Sequence, residues 1–134
     1  MTLLIDTNVI LDMIFNRNGC ETSIKLFRKS KQDRDCAYIT ASSVTDLFYI
    51  IRKETHDTKQ TYCILENIFK LTKILSVSEK DIQDAFKEKW KDFEDCVQCT
   101  VAQNNKIDYI ITGNKKDYTN ASLPVITPQE YLKL

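Results

Sequence analysis

The chain is predicted to fold as one α/β domain spanning residues 1–134, a three-layer α/β/α sandwich around a mainly parallel sheet of about five strands. Three observations carry this. Short apolar segments alternate with longer segments of helical period along the whole length. No Pro- or Gly-rich linker and no internal repeat divides the chain. Its 134 residues are about the modal size of a single domain, enough to bury one core. A parallel sheet covered on both faces places its functional crevice beyond the carboxyl ends of the strands.

Thr2–Ile5 is an apolar run that stops at Asp6, after which Val9, Ile10, Met13 and Ile14 recur at helical spacing. After the loop Asn16–Gly19, a helix is expected over Glu21–Gln32, with Ile24, Leu26 and Phe27 inward and Lys25, Arg28, Lys29 and Lys31 in solvent. Cys36–Thr40 reads as a second strand. Ser42 and Ser43 are expected to open the next helix, carrying Val44, Leu47, Phe48, Ile50 and Ile51, with Asp46 in about its first turn. Thr58–Leu71 is a further helix and Lys73–Val77 a third strand. Ser78 and Asp81 form a capping box for a helix over Glu79–Lys89. The pattern breaks at Trp90–Glu94 before a helix over Phe93–Asn104 with Asp95 in its first turn. Asp108–Thr112 is the clearest strand, Gly113–Asp117 a polar turn, and Val125–Ile126 a brief last strand. Thr127 and Pro128 then provide a cap and a first-turn proline for a terminal helix.

Composition removes several function classes. Nineteen Lys and Arg balance nineteen Asp and Glu, which argues against a polybasic binder held to nucleic acid by bulk charge. Only two glycines occur, Gly19 and Gly113, far apart, so no glycine-rich phosphate loop exists. His56 is the single histidine. It excludes two-histidine zinc sites, and its place after Arg52–Thr55 near a helix end marks a surface residue. The five cysteines are odd in number with no secretory signal ahead of them, which points to a reduced, cytoplasmic protein. Cys96 and Cys99 lack a second pair at zinc spacing and read as packed helix thiols. No apolar run approaches the ~18 residues of a membrane span.

The crevice rule selects four carboxylates. Asp6 follows the first strand, Asp46 lies shortly after the second, Asp95 is in the helix entering the fourth, and Asp117 follows the fourth. Thr7, Asn8, Asp92, Thr112 and Asn114 stand beside them as supporting residues. Each acid alone has a plain structural use as a cap, a helix-dipole partner or a turn residue. Together at one sheet edge they would repel by ~4 kcal/mol per close pair at an effective dielectric of ~20. A cation should offset that. Oxygen donors without His or Cys select Mg²⁺ or Mn²⁺, which activate water and clamp a phosphodiester.

Four segments in order, Leu4–Asp12, Ile39–Thr40 through Asp46–Leu47, Asp92–Asp95 and Ile110–Tyr118, followed by Val125–Leu132, resemble the PIN domain nucleases, and the resemblance covers essentially the whole chain. It implies a Mg²⁺- or Mn²⁺-dependent endoribonuclease, often the toxin of a bacterial toxin-antitoxin pair. Asp6, Asp46, Asp95 and Asp117 match the family's acidic metal-binding places, with Thr7 and Asn8 as the supporting pair. Two positions depart from the pattern. The second acid is commonly Glu, so the shorter Asp46 reaches a metal through water. Asn114 stands where many relatives carry an acid, which leaves Asp117 and Asn114 as two ways to complete the site.

A receiver-type phosphorylation domain needs adjacent acids after the first strand and a lysine after the last; Thr7, Asn8 and Pro124–Pro128 supply neither. A haloacid-type phosphatase needs Asp-x-Asp, and position 8 is Asn. The competing reading that survives is a PIN fold kept as a catalytically impaired RNA- or protein-binding module. RNA as substrate, a cognate antitoxin and a homodimer are the partners the resemblance implies. Phe15, Phe48 and Tyr49 are apolar residues that serve either core packing or such a partner surface, with the core expected.

Overall fold

The computed structural model describes residues 1–134 and contains five strands, all parallel, between two layers of helix. In chain order the elements are β1 Thr2–Ile5, α1 Thr7–Ile14, α2 Cys20–Gln32, β2 Cys36–Thr40, α3 Ala41–Thr55, α4 Thr58–Leu71, β3 Lys73–Leu75, α5 Glu79–Glu88, α6 Phe93–Asn104, β4 Tyr109–Ile111, β5 Val125–Ile126 and α7 Pro128–Leu132. A 3₁₀ turn at Lys115–Tyr118 joins β4 to β5. The predicted sandwich and strand count hold, and the sheet is wholly parallel.

Alternation along β1 sets the layers. Leu3 and Ile5 join Ile39 and Ile111 under α1, α2, α3, α4 and α7. Leu4 and Ile110 face the opposite way, onto Cys99 and Ala102 of α6 and onto Tyr118. Ala85 of α5 closes that side against Cys96, Val97 and Val101. All three apolar residues of β1 are fully buried, as a central parallel strand requires.

The strands lie in the order β3-β2-β1-β4-β5. The chain therefore builds outward in one direction from β1 through β2 to β3 and in the other through β4 to β5, and β1 beside β4 is the switch point. Ile5 pairs with Ile111, and the Asp6 N–H donates to the Ile111 carbonyl at 2.9 Å, so these two strands end level with one another.

Local signals decide most boundaries. Both capping boxes form, Ser78 with Asp81 ahead of α5 and Thr127 with Glu130 ahead of α7. The start of α3 differs from expectation. Its N-cap is Thr40, whose hydroxyl accepts from the Ser43 N–H at 3.2 Å, so the helix begins earlier and Asp46 sits in the second turn. A helix-dipole role for Asp46 is thereby removed. β3 stops at Leu75, and α5 ends at Glu88 because Lys89 turns left-handed, with φ 55°. His56 caps the exposed end of α3 with φ 55°, away from the sheet edge that carries the acids.

Candidate active site

Asp6 is placed by the end of β1. It occupies the N-cap position of α1, yet its carboxylate makes no capping hydrogen bond. Instead Oδ2 accepts from the buried Thr112 hydroxyl at 2.8 Å, and Oδ1 faces the Gln98 amide at 3.5 Å. Thr112 is itself steadied by the Asn114 N–H, which donates to its hydroxyl at 3.1 Å. Asn114 contributes through this backbone link, whereas Asp117 is the residue of that turn that lines the cleft. Thr7 donates to the Ser43 hydroxyl at 3.2 Å, tying the starts of α1 and α3 together.

Asp95 enters in the first turn of α6, whose N-cap is Asp92. The Asp92 carboxylate accepts from the Asp95 N–H at 3.1 Å. From below, the Tyr118 hydroxyl donates to Asp95 Oδ1 at 3.4 Å. Asp46 projects from α3 across the opening. Asp6, Asp46, Asp92, Asp95 and Asp117 thus line one cleft of about 360 Å³, with Thr7 and Asn8 on its wall.

A sixth carboxylate joins them. Glu94 is not among the residues expected at the crevice, and as the helix neighbour of Asp95 it points about 100° away from it. At the N-terminus of α6 the cleft wraps around the helix, and Glu94 meets Asp46 arriving from α3. Tyr49 also stands on the cleft rim, 66% exposed, so it belongs neither to the core nor to an apolar surface apart from the acids. Phe15 and Phe48 are half-buried against the core.

Crowding leaves its electrostatic mark. Burial, only partly offset by the bonds from Thr112 and Gln98, raises the Asp6 carboxyl above the ordinary carboxylate range. Burial and then the charges of Asp6, Asp92 and Asp117 push Asp95 up to about 7. Glu94 keeps an exposed edge, but its carboxyl is desolvated inside the cleft and hydrogen-bonded to Asp46, and it rises to about 8. The hydroxyl of buried Tyr118 is held far above its usual range by burial and by Asp6 and Asp95. None of the six acids forms an ion pair with a Lys, Arg or His side chain.

No three His, Cys, Asp or Glu side chains are set to ligate one ion together. The donor set nonetheless fits a hard divalent cation, since Mg²⁺ takes one or two carboxylates and fills its other positions with water and phosphate oxygens. An uncompensated group of oxygen donors at a sheet switch point has the chemistry to bind such a cation and to offer it to a phosphodiester.

Comparison with known proteins is consistent with this geometry. The sequence matches the family model described as PIN domain over residues 2–116. No curated protein sequence matches it. Among solved structures, the chain is similar to VapBC-1 from nontypeable Haemophilus influenzae at 16% identity, covering 96% of this chain and 99% of that one, with a TM-score of 0.75. It is similar to VapBC2 from Rickettsia felis, bound to a DNA fragment from its promoter, at 14% identity over 95% and 98% of the two chains, TM-score 0.73. It is also similar to VapC20 from Mycobacterium tuberculosis, a sarcin-ricin loop cleaving toxin, at 8% identity over 88% and 94%, TM-score 0.71.

Proposed function

The chain belongs to the PIN domain family, and from that premise we propose that it is a divalent-metal-dependent endoribonuclease, the toxin member of a toxin-antitoxin pair. The observation that carries this reading is the convergence of Asp6, Asp46, Glu94, Asp95 and Asp117 on one cleft at the β1/β4 switch point, with no cationic side chain paired to them.

When bound, Mg²⁺ or Mn²⁺ supplies an activated water and neutralises charge on the phosphodiester undergoing displacement. Asp6 and Asp95 would be the principal holders of such an ion, with Asp117 and the shorter Asp46 adding oxygen donors from the facing sides of the cleft. The chain's own residues orient them. Thr112 and Gln98 hold Asp6, and Tyr118 holds Asp95. In the metal-free chain, burial and the neighbouring Asp46 carboxyl favour the protonated form of Glu94, whose hydrogen bond to Asp46 steadies that shorter side chain across the cleft. Asp92 serves as the helix cap that places Asp95.

The purified chain is expected to cleave RNA in Mn²⁺ or Mg²⁺ and to stop in EDTA, and Asp6→Asn and Asp95→Asn are each expected to abolish cleavage. Undiminished cleavage by the double variant would reject the assignment. A second reading, a PIN fold retained as a binding module, draws on Asp46, whose carboxyl is occupied by Glu94. Silence of the wild type across broad RNA pools in both metals favours it.

Support for a protein partner comes from α4. One side of it carries an apolar groove of about 570 Å³ lined by Val44, Phe48, Tyr62, Leu65 and Phe69, and the other a groove of about 230 Å³ beside Met13 and Ile14. Patches of this kind mark interaction surfaces. A toxin-antitoxin complex from Klebsiella pneumoniae is among the similar solved structures, and we assign these grooves to a cognate antitoxin. Co-purification with the product of the neighbouring small reading frame tests that assignment, and sedimentation of the free chain tests for the homodimer. No helix is long and apolar enough to cross a membrane, and a cytoplasmic site of action remains part of this proposal.

A further inference from the structure

Beside the acidic cleft lies a second one of about 600 Å³, and the two share Asp92 and Asp117 as a common wall. We propose that this second cleft is a nucleotide subsite, in which Lys91 and Lys116 hold a backbone phosphate flanking the cleaved bond of a single-stranded RNA and Trp90 stacks its base. The proposal rests on the endoribonuclease reading and names how that site would grip its substrate.

The two lysines come from opposite banks. Lys91 lies in the segment between α5 and α6, and Lys116 in the 3₁₀ turn after β4. Both are exposed, and neither pairs with a carboxylate. By contrast, Lys25, Lys29, Lys80 and Lys115 are engaged by Glu21, Asp33, Asp84 and Glu130, and Lys89 lies over the Phe86 ring at 3.3 Å. A polyanion leaving an acid-lined cleft is held by cations beside it, and Lys91 and Lys116 line the cleft that adjoins the acids through Asp92 and Asp117.

Trp90 supplies the platform. It is half-buried and meets the Tyr118 ring edge-on, with centroids 6.3 Å apart at 78°, so its plane is fixed while part of it stays in the cleft. Aromatic faces of this kind stack unpaired bases with little sequence preference. Asn120 adds an amide able to meet a base edge. The banks are anchored. Asp92 caps α6, Thr119 donates to the Lys116 carbonyl at 2.7 Å, and Tyr118 links the Trp90 ring to Asp95. The subsite is therefore rigidly coupled to the acids.

Trp90 is the only tryptophan in the chain, so intrinsic indole fluorescence reports on the surroundings of this one residue. The Asp6→Asn full-length chain, which leaves the Tyr118 and Trp90 contacts untouched, is titrated in Mg²⁺ with a ~10-nucleotide single-stranded RNA, a length within the usual site sizes. Saturable quenching is expected. Lys91→Gln with Lys116→Gln should weaken binding about 10-fold or more and lower the salt slope by about 1–2. In an otherwise wild-type chain the same pair should raise KM more than it lowers kcat. RNA binding seen by anisotropy without a change in Trp90 fluorescence, an unchanged salt slope in the lysine pair, or no RNA binding at all would each overturn the subsite. Cleavage without quenching sinks the subsite and leaves the nuclease reading standing. Lysine-dependent quenching with no cleavage by the wild type in either metal does the reverse.

Discussion

Asp95 and Glu94 pay a cost in the metal-free protein that their chemistry explains. With carboxyls at about 7 and about 8 against an ordinary ~4, the folded chain holds protons that the unfolded chain has already shed between those limits. The folded state binding more protons means that stability falls as pH rises through that window. Asp108 and Glu130, held low by backbone N–H bonds from Thr2 and Thr127, lose their contribution only below the ordinary carboxylate range and do not reverse the trend. In EDTA the melting temperature is therefore expected to be higher at pH 5 than at pH 8.5, with the difference shrinking in Mg²⁺ or Mn²⁺. A flat profile in EDTA would show the acids to be well separated. For the same reason Asp95→Asn, whose amide oxygen still accepts from Tyr118, is expected to raise the EDTA melting temperature at pH 8.5 by about 3–5 °C while abolishing cleavage. Asp6 and Asp95 were readable from sequence as residues at strand or helix termini. Glu94 was not, because its role depends on Asp46 arriving from another helix.

At the scale of elements, the caps place the chemistry. Asp92 holds the first turn of α6, and Asp92→Ala is expected to cost about 1 kcal/mol and to reduce cleavage by freeing Asp95. Asp92→Asn, an equally good cap, should preserve both stability and most of the activity. Thermal melts of the two variants check the cap, and an Asp92→Asn as inactive as Asp95→Asn would make Asp92 a ligand instead. The capping boxes of α5 and α7 were legible because every partner lies within three residues. Thr40 was missed as the cap of α3, since a threonine ending an apolar β-type run serves a strand and a helix equally well, and only the Thr7–Ser43–Thr40 hydroxyl cluster shows which. The same shift of two to three residues puts Asp46 in the second turn, beyond the reach of the helix dipole.

For the whole molecule, zero net charge conceals an uneven distribution. If Asp6, Asp46, Asp95 and Asp117 hold metal as proposed, nineteen cations face fifteen remaining anions, a surplus available to a phosphate backbone. Metal-loaded protein is thus expected to bind RNA more tightly than metal-free protein, measured on the wild type with a non-cleavable oligonucleotide; equal affinity in EDTA would remove the electrostatic account. Saturating Mg²⁺ or Mn²⁺ should also raise stability, by about 2.7 kcal/mol at a hundredfold excess over Kd.

The sequence by itself determined the alternation of strands and helices, most of their limits, the acids that terminate β1 and begin α6, and the family likeness those segments carry. These depend on residue period and on contacts within a turn. Only the tertiary structure decided the order β3-β2-β1-β4-β5, which brings Thr112 onto Asp6 across 106 positions, sets Glu94 against Asp46 and places Lys91 and Lys116 on one cleft. Such meetings follow from how buried faces close over one another, and no local periodicity encodes which distant surfaces will share a wall.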